Sequence, residues 1–517
     1  VSDKSLSFLF EDEMISENLL IEFREFLAQH MGLEFPEKRL PELRRSIDRA
    51  APDLGFKDVD SCVKRLMSEQ LTSHHTEVLA SYLTIGETYF FRDEKSFKVL
   101  EERIFMDLLR KARSSHRLLR IWSAACSTGE EPYSIAILLR RILPDFDDWN
   151  VTIVATDINT RSLEKASQGV YTEWSFRGAP PWLKQQYFEK TRKGHFRIVP
   201  EIKRAVKFAY HNLAQDPYPS LLNNTNGMNV IFCRNTLMYF GAEQRQKAIR
   251  KFIDCLLDGG WLIVSPAETS LVVDHRLETV SAQGTMLHRK IGGPARKVEI
   301  SETAITLSQT PVHRQAVPEP PSHETTEYLQ RLSGTPSSMK FDLPSEVESR
   351  AFSFEEALEL YREGRYSEVT KKLPVKISRV PLHGKESASE ASLLARAYAN
   401  QGMLVEALEW CAKATTADKL NPKYHYLFAT ILQEQGRNEE AVKSLQKAIY
   451  LDQDFVLAHF ALGNLLLSQK NSARSQKYFD NVLNLLRTYE NEETLPESDG
   501  MTAGRLKEIV RAMTHSL

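Results

Sequence analysis

Residues 121–139 read IWSAACSTGEEPYSIAILL, and the reading of this stretch decides the fold. Its apolar opening predicts a strand, the small residues of ACSTG predict a turn, and YSIAILL predicts a helix. In open α/β sheets such a turn lies at the carboxyl end of a strand, where ligands bind. A dinucleotide site would carry G-x-G-x-x-G and a helix N-terminus without negative charge, ready for a pyrophosphate. Here the turn has only Gly129, and Glu130 and Glu131 open the helix. Two carboxylates suit a helix dipole but repel a phosphate. Capping of the helix is one reading of the pair. The other is a ligand with positive charge and no phosphate, such as the sulfonium and ammonium of S-adenosylmethionine.

The flanking sequence extends the pattern. Short β-rich runs (LLRIWSAA, VTIVATD, MNVIFC, WLIVSP) alternate with helical ones (YSIAILLRRIL, NTRSLEKASQG, AEQRQKAIRKFIDCLLD) over residues 85–290. This alternation predicts an α/β domain with a doubly wound parallel sheet. The second run ends in Asp157, placed to hydrogen-bond the hydroxyls of a ribose. Turn and acid together favour an adenosine-containing ligand.

Residues 1–84 read as a separate helical domain. LIEFREFLAQHMGL repeats its apolar residues at three and four, and LPELRRSIDRA follows with Pro41 as a helix opener. Prolines crowd residues 291–345, which predicts an extended, mobile linker. Residues 346–517 repeat with a period of 34: Gly402 with Gly436, Ala407 with Ala441, Ala414 with Ala448, and Leu394 with Phe428 and Leu462. That period resembles the tetratricopeptide repeat, a helix-turn-helix unit that stacks into a concave, protein-binding solenoid. EALELYREGRYSEV (356–369) reads as a further, degraded unit, with Gly364 and Val369 in the Gly and Ala places.

Bulk properties exclude several function classes. A net charge of −2 over 517 residues gives no basic footprint for nucleic acid. Five scattered cysteines without a CxxC pair provide neither a disulfide framework nor a zinc site, so no metal is expected. The first residues lack the basic start and apolar core of a signal peptide, and no apolar run approaches the ~20 residues of a membrane span. A cytoplasmic location is the expectation.

Four ordered stretches carry a family resemblance: TYFFRD (88–93), WSAACSTGEEPYSIA (122–136), ATDINTRSLEKASQGVY (155–171) and NVIFCRNTLMYF (229–240). Together they resemble the signatures of the CheR-type chemoreceptor glutamate methyltransferases, over roughly residues 15–285. The resemblance implies a helical N-terminal domain followed by an S-adenosylmethionine-binding α/β domain with a small antiparallel subdomain, expected at about residues 187–208. It implies that Thr88, Arg92, Glu131, Asp157, Asn212, Leu213, Cys233 and Arg234 line the cofactor site. Arg92 and Tyr239 would lie nearest the transferred methyl group. Gly86 departs from the pattern, because many members have an asparagine there beside the cofactor.

By the same resemblance, the reaction is methyl transfer from S-adenosylmethionine to glutamate side chains in the cytoplasmic domain of a methyl-accepting chemoreceptor. Arg44, Arg45 and Arg49, on LPELRRSIDRA, would face the receptor, with a solvated helix face as the alternative. The repeats would recruit a further protein partner. Two rival functions are a methyltransferase for small molecules or nucleic acid, and a non-catalytic, cofactor-sensing scaffold of a chemosensory array.

Overall fold

The computed structural model describes residues 17–68, 71–84, 86–113, 117–220, 223–292, 352–377, 385–469, 471–498 and 500–514. The stretch read as a linker lies, from residue 293 onward, outside the described residues. None of the helices in the described residues is long and apolar enough to cross a membrane.

Helices Glu17–Met31, Leu40–Ala50, Val59–Ser68 and Ser73–Leu83 form the N-terminal part. Their apolar faces meet in a core that includes Phe23, Leu27, Leu43, Ile47, Leu66 and Leu79. Pro41 does stand in the first turn of its helix, where a missing N–H costs nothing. The chain leaves the first helix through Gly32 at φ 74°, and an added Cβ there would lie 2.8 Å from the Phe240 ring. Only glycine permits both that conformation and that approach. Leu33 then bridges Phe240, and the Glu34 N–H donates to the Tyr239 carbonyl at 2.7 Å.

Ten strands follow among the described residues: β1 Leu118–Ala124, β2 Asn150–Asp157, β3 Val170–Tyr171, β4 Phe188–Lys190, β5 Phe196–Ile198, β6 Val206–Tyr210, β7 Met228–Phe232, β8 Leu256–Ile263, β9 Leu277–Ala282 and β10 Thr285–Lys290. Seven of them make one sheet in the order β6-β2-β1-β7-β8-β10-β9. The pairs from β6 to β8 are parallel, while β10 is antiparallel to both β8 and β9. The sheet is therefore mixed rather than wholly parallel. β2 leaves β1 on one side and β7 joins it on the other, so the strand order reverses at β1. That reversal opens a crevice at the carboxyl end of β1.

Two local expectations need correction. The small antiparallel sheet has the order β3-β5-β4 and draws on residues 170–198, whereas residues 206–210 form β6 at the edge of the main sheet. The helix read through Asp258 ends at Cys255, and Leu256 already begins β8.

The C-terminal region pairs its helices as the period predicts: Lys385–Asn400 with Leu404–Ala417, Pro422–Glu434 with Asn438–Leu451, and Val456–Ser468 with Ser472–Leu485. Phe354–Arg362 with Tyr366–Ile377 precede them, and Ala503–Thr514 closes the series. Gly364, Gly402 and Gly436 turn the chain at φ 73°, 70° and 76°, and Ala407, Ala414, Ala441 and Ala448 are fully buried where helices approach closely.

These repeats pack on the amino-terminal edge of the main sheet. Leu118 of β1 joins an apolar cluster containing Leu404, Leu427 and Ile431. Asn150 Nδ2 donates to the Glu434 carbonyl at 3.1 Å, and Asn226 Nδ2 to the Ala399 carbonyl at 3.3 Å. At the centre, Arg120 and Glu434 form an ion pair at 3.3 Å, with side chains only 1% and 2% exposed.

Candidate functional site

After β1 the chain runs through Ala125 and Ser127, both at positive φ, and then Gly129 at φ 91°. An added Cβ at Gly129 would lie 2.8 Å from the Ala166 Cβ, so glycine is required for space as well as conformation. The second strand holds this turn in place. The Cys126 N–H donates to the Thr156 carbonyl at 2.9 Å, and the Ser127 N–H to Asp157 Oδ2 at 2.8 Å. Asp157 Oδ1 accepts from the Asn159 N–H, also at 2.8 Å. The carboxylate thus braces the turn and still lines the cleft beside it. Burial pushes its pKa up, and the backbone donors only partly oppose this.

The two glutamates do different things. Glu130 is buried outside the cleft lining. It accepts hydrogen bonds from the Thr128 hydroxyl at 2.7 Å and from the Ser175 hydroxyl at 2.9 Å, tying the turn to the segment between β3 and β4 of the small sheet. Glu131 lines the cleft. It accepts from the Ser123 hydroxyl at 2.7 Å and pairs with the Arg234 guanidinium at 3.4 Å. Burial raises its pKa, while Arg234 and Arg92 act the other way.

Arg234 also reaches Asp93 at 3.4 Å. Its Nε is buried without a hydrogen-bond partner among the described residues, as is Nε2 of His211. Both residues line the cleft, so both are placed to serve a ligand at small cost, because a buried polar atom gains from being satisfied. Arg92 lines it too, with its guanidinium donating to the Glu87 carbonyl at 2.6 Å and lying 5.7 Å from the Tyr89 ring centre.

Of the residues expected at the cofactor, Thr88, Arg92, Glu131, Asp157, Asn212, Leu213 and Arg234 line one cleft, together with Tyr239. Cys233 does not. Its side chain is fully buried in a cluster with Ile231, Leu237 and Leu262, and its neighbours Arg234 and Asn235 form the wall instead. Burial pushes the Cys233 thiol up, which suits packing and not nucleophilic chemistry. Gly86 does line the cleft, where an added Cβ would approach the Ser127 hydroxyl at 3.3 Å. Arg44, Arg45 and Arg49 lie outside the lining, on helix Leu40–Ala50; Arg49 donates to the Arg45 carbonyl and the Ser46 hydroxyl, both at 3.3 Å.

Sequence reading missed the N-terminal contribution. Leu33, Glu34, Phe35 and Arg39 close one side of the cleft. Arg39 pairs with Glu42 through two bonds of 2.9 Å, and its guanidinium lies 5.9 Å from the Tyr239 ring centre. The signal available was Gly32, a conformational hinge directly after a helix. Among the described residues no cluster of His, Cys, Asp and Glu could hold a metal ion.

The cleft thus sets one buried and one half-buried carboxylate, Asp157 and Glu131, and several guanidiniums around one space, and such a lining takes a ligand carrying both cationic and carboxylate groups. Comparison with known proteins agrees. The family model described as CheR methyltransferase, SAM binding domain, matches residues 86–286. One described as TPR repeat matches residues 429–470, and one described as Anaphase-promoting complex, cyclosome, subunit 3, matches residues 379–448. The Chemotaxis protein methyltransferase of Listeria innocua is 36% identical over 261 residues, covering 50% of this chain and 93% of that protein. Chemotaxis protein methyltransferase 1 of Pseudomonas aeruginosa is 30% identical over 275 residues, 52% of this chain and 96% of that one. The Probable biofilm formation methyltransferase WspC of Pseudomonas aeruginosa is 28% identical over 315 residues, 60% of this chain and 72% of that one.

Proposed function

The chain belongs to the CheR methyltransferase family of S-adenosylmethionine-dependent enzymes, and we propose that it esterifies glutamate side chains in the cytoplasmic domain of a chemoreceptor. The observation that carries this reading is the charge arrangement of one cleft: Glu131 and Asp157 on the β1–β2 side, Arg92, Arg234 and Arg39 around it. The acids suit the cofactor's cationic groups and hydroxyls, and the guanidiniums suit carboxylates.

When bound, S-adenosylmethionine supplies an activated methyl group. The residues proposed to hold it are Thr88, Glu131, Asp157, Asn212, Leu213 and Arg234. The substrate glutamate, with an ordinary pKa of about 4.3, is already ionised at neutral pH, so this chain needs no general base. Its task is to orient and desolvate a carboxylate at contact distance. Arg92 and Tyr239 are assigned that role, with Arg39 beside the Tyr239 ring as a further orienting cation. An arginine pair that is too tight would stabilise the ground state. Arg92 already gives one donor to the Glu87 carbonyl, which moderates its hold on a substrate.

Arg44, Arg45 and Arg49 are proposed to dock an acidic receptor helix. What supports them is continuity: their helix begins at Leu40, next to the cleft-lining Arg39. Esterification removes negative charge from the receptor and so biases its signalling state. The repeats are proposed to engage a further protein, and the whole to act in the cytoplasm.

One pH dependence follows. Burial holds the Glu131 and Asp157 carboxyls above their ordinary values of 4.5 and 3.8. Their ionised forms attract a cationic cofactor, so affinity falls as pH drops through the raised values. Titration calorimetry with S-adenosylmethionine should show this loss beginning above the range where free carboxylates titrate. The function itself is tested by incubating the full chain with labelled S-adenosylmethionine and purified receptor cytoplasmic domains. Base-labile label on the receptor is the expected result; cofactor binding without any label on receptor would refute it.

A further inference from the structure

The loop after β6 forms one wall of the cleft through His211, Asn212 and Leu213. Its anchor is Asp216, which is 5% exposed. Asp216 Oδ2 accepts the Asn212 N–H at 2.7 Å and lies 3.6 Å from His211 Nδ1. Asn212 in turn donates to the His30 carbonyl at 2.8 Å, so the same loop also holds the N-terminal helix.

A buried carboxylate of this kind needs a counter-charge. Burial pushes the His211 imidazole down to about 4, so it is neutral at physiological pH. Lys251 donates to the Asp216 backbone carbonyl at 3.2 Å rather than to its side chain. The guanidinium comes from the far end of the chain. Arg505, in the closing helix Ala503–Thr514, donates from Nε to Asp216 Oδ1 at 2.8 Å and from Nη2 to Oδ2 at 3.3 Å. It also lies 4.1 Å from the Tyr210 ring centre, at the end of β6. A forked, two-bond contact stacked on a ring fixes orientation as well as charge.

We propose that the closing helix of the repeat region is a working part of the cofactor site, with Arg505 as a positioning residue that acts through Asp216 on Asn212 and His211. The inference rests on the reading of the cleft as the S-adenosylmethionine site. Its consequence is that the repeats bear on cofactor affinity: a protein that moves the closing helix changes the wall against which the cofactor lies. Couplings through such packed networks change affinity by about 2-fold to 30-fold.

The test uses the full chain, with S-adenosylmethionine and S-adenosylhomocysteine binding measured by calorimetry and methyl transfer measured by KM and kcat. Arg505→Ala is expected to weaken cofactor binding about tenfold and to raise the cofactor KM by the same factor, leaving kcat at saturation within about twofold. Arg505→Lys should recover much of the loss. If Arg505→Ala does not fold, Arg505→Ala combined with Asp216→Asn removes the stranded charge, and should bind cofactor no more weakly than Asp216→Asn alone. Cofactor affinity at the wild-type level in Arg505→Ala, or a Lys variant no better than Ala, overturns the proposal. So does a double variant that binds more weakly than Asp216→Asn alone. If the wild-type chain itself fails to bind S-adenosylmethionine, the reading of the cleft falls instead.

Discussion

Arg120→Ala should destabilise the folded chain by about 3–5 kcal/mol, the usual cost of stranding one partner of a buried ion pair. Arg120 sits in β1, and its side chain does more than pair with Glu434. It donates to the Asn226 carbonyl at 3.1 Å and the Asn224 carbonyl at 3.2 Å, holding the segment that leads into β7. Removing it leaves the Glu434 carboxylate in the interface with no cation at contact distance among the described residues. Burial already raises the Glu434 pKa despite the opposing Arg120, and loss of Arg120 raises it further. The sign of the pH effect follows. A carboxyl whose folded pKa lies above its unfolded value contributes most below the unfolded value, and that contribution is lost as pH rises through the folded pKa. The deficit of Arg120→Ala relative to wild type should therefore grow from acid toward neutral pH. Urea unfolding across that range reads it directly. A deficit that is small and independent of pH would mean that Glu434 and Arg120 contribute little to the interface. Glu434→Gln, which keeps the shape and removes the charge, should cost less, about 1–3 kcal/mol.

Glu131→Gln should weaken S-adenosylmethionine binding by about 30-fold to 100-fold, in the range found when one partner of a buried hydrogen-bonded charge pair is neutralised. The substitution keeps the side chain's size, so the loss reports charge. It removes the acid facing the cleft and leaves Arg234 with only Asp93 as a carboxylate partner among the contacts described. Glu130→Gln provides the contrast. Glu130 accepts from Thr128 and Ser175 outside the cleft lining, so its neutralisation should lower stability while leaving cofactor affinity within about twofold. Calorimetry on the two variants separates the roles of adjacent residues. Equal losses of affinity would contradict the division drawn between them.

Much of this was legible in the sequence because it is local. The strand–turn–helix at 121–139, with one glycine and two acids, needs only neighbouring residues to be read, and the period of 34 repeats one local unit. The antiparallel edge was hidden for a physical reason. β9 and β10 are joined by Gln283 and Gly284 at φ 50° and 78°, a two-residue reversal whose first position lacks the Asn or Asp that usually marks such a turn. The strand WLIVSP does fall in β8, but its start at Leu256 was hidden because Leu256 and Leu257 continue the apolar pattern of the preceding helix.

The least legible features are contacts between distant parts of the chain. Cys233, in a motif that reaches the cleft, reads as a packing residue lending its backbone; its side chain is buried, and Arg234 stands at the wall. Leu33–Arg39 belong to a region that reads as a separate helical domain, and nothing in their spacing shows that they meet Tyr239. The pairs Arg120 with Glu434 and Asp216 with Arg505 join the sheet to the repeats across a stretch of proline-rich sequence. Single charged residues at such distances carry no periodic signal.

We propose that this cleft esterifies receptor glutamates. The most direct measurement is peptide mapping of a receptor cytoplasmic domain after incubation with the full chain and isotopically labelled S-adenosylmethionine, alongside the Glu131→Gln variant at the same cofactor concentration, below saturation. The expected result is labelled methyl groups on glutamate side chains, lost on mild base treatment and strongly reduced with the variant. Label on another residue type, or no receptor label although the wild-type chain binds cofactor, would contradict it.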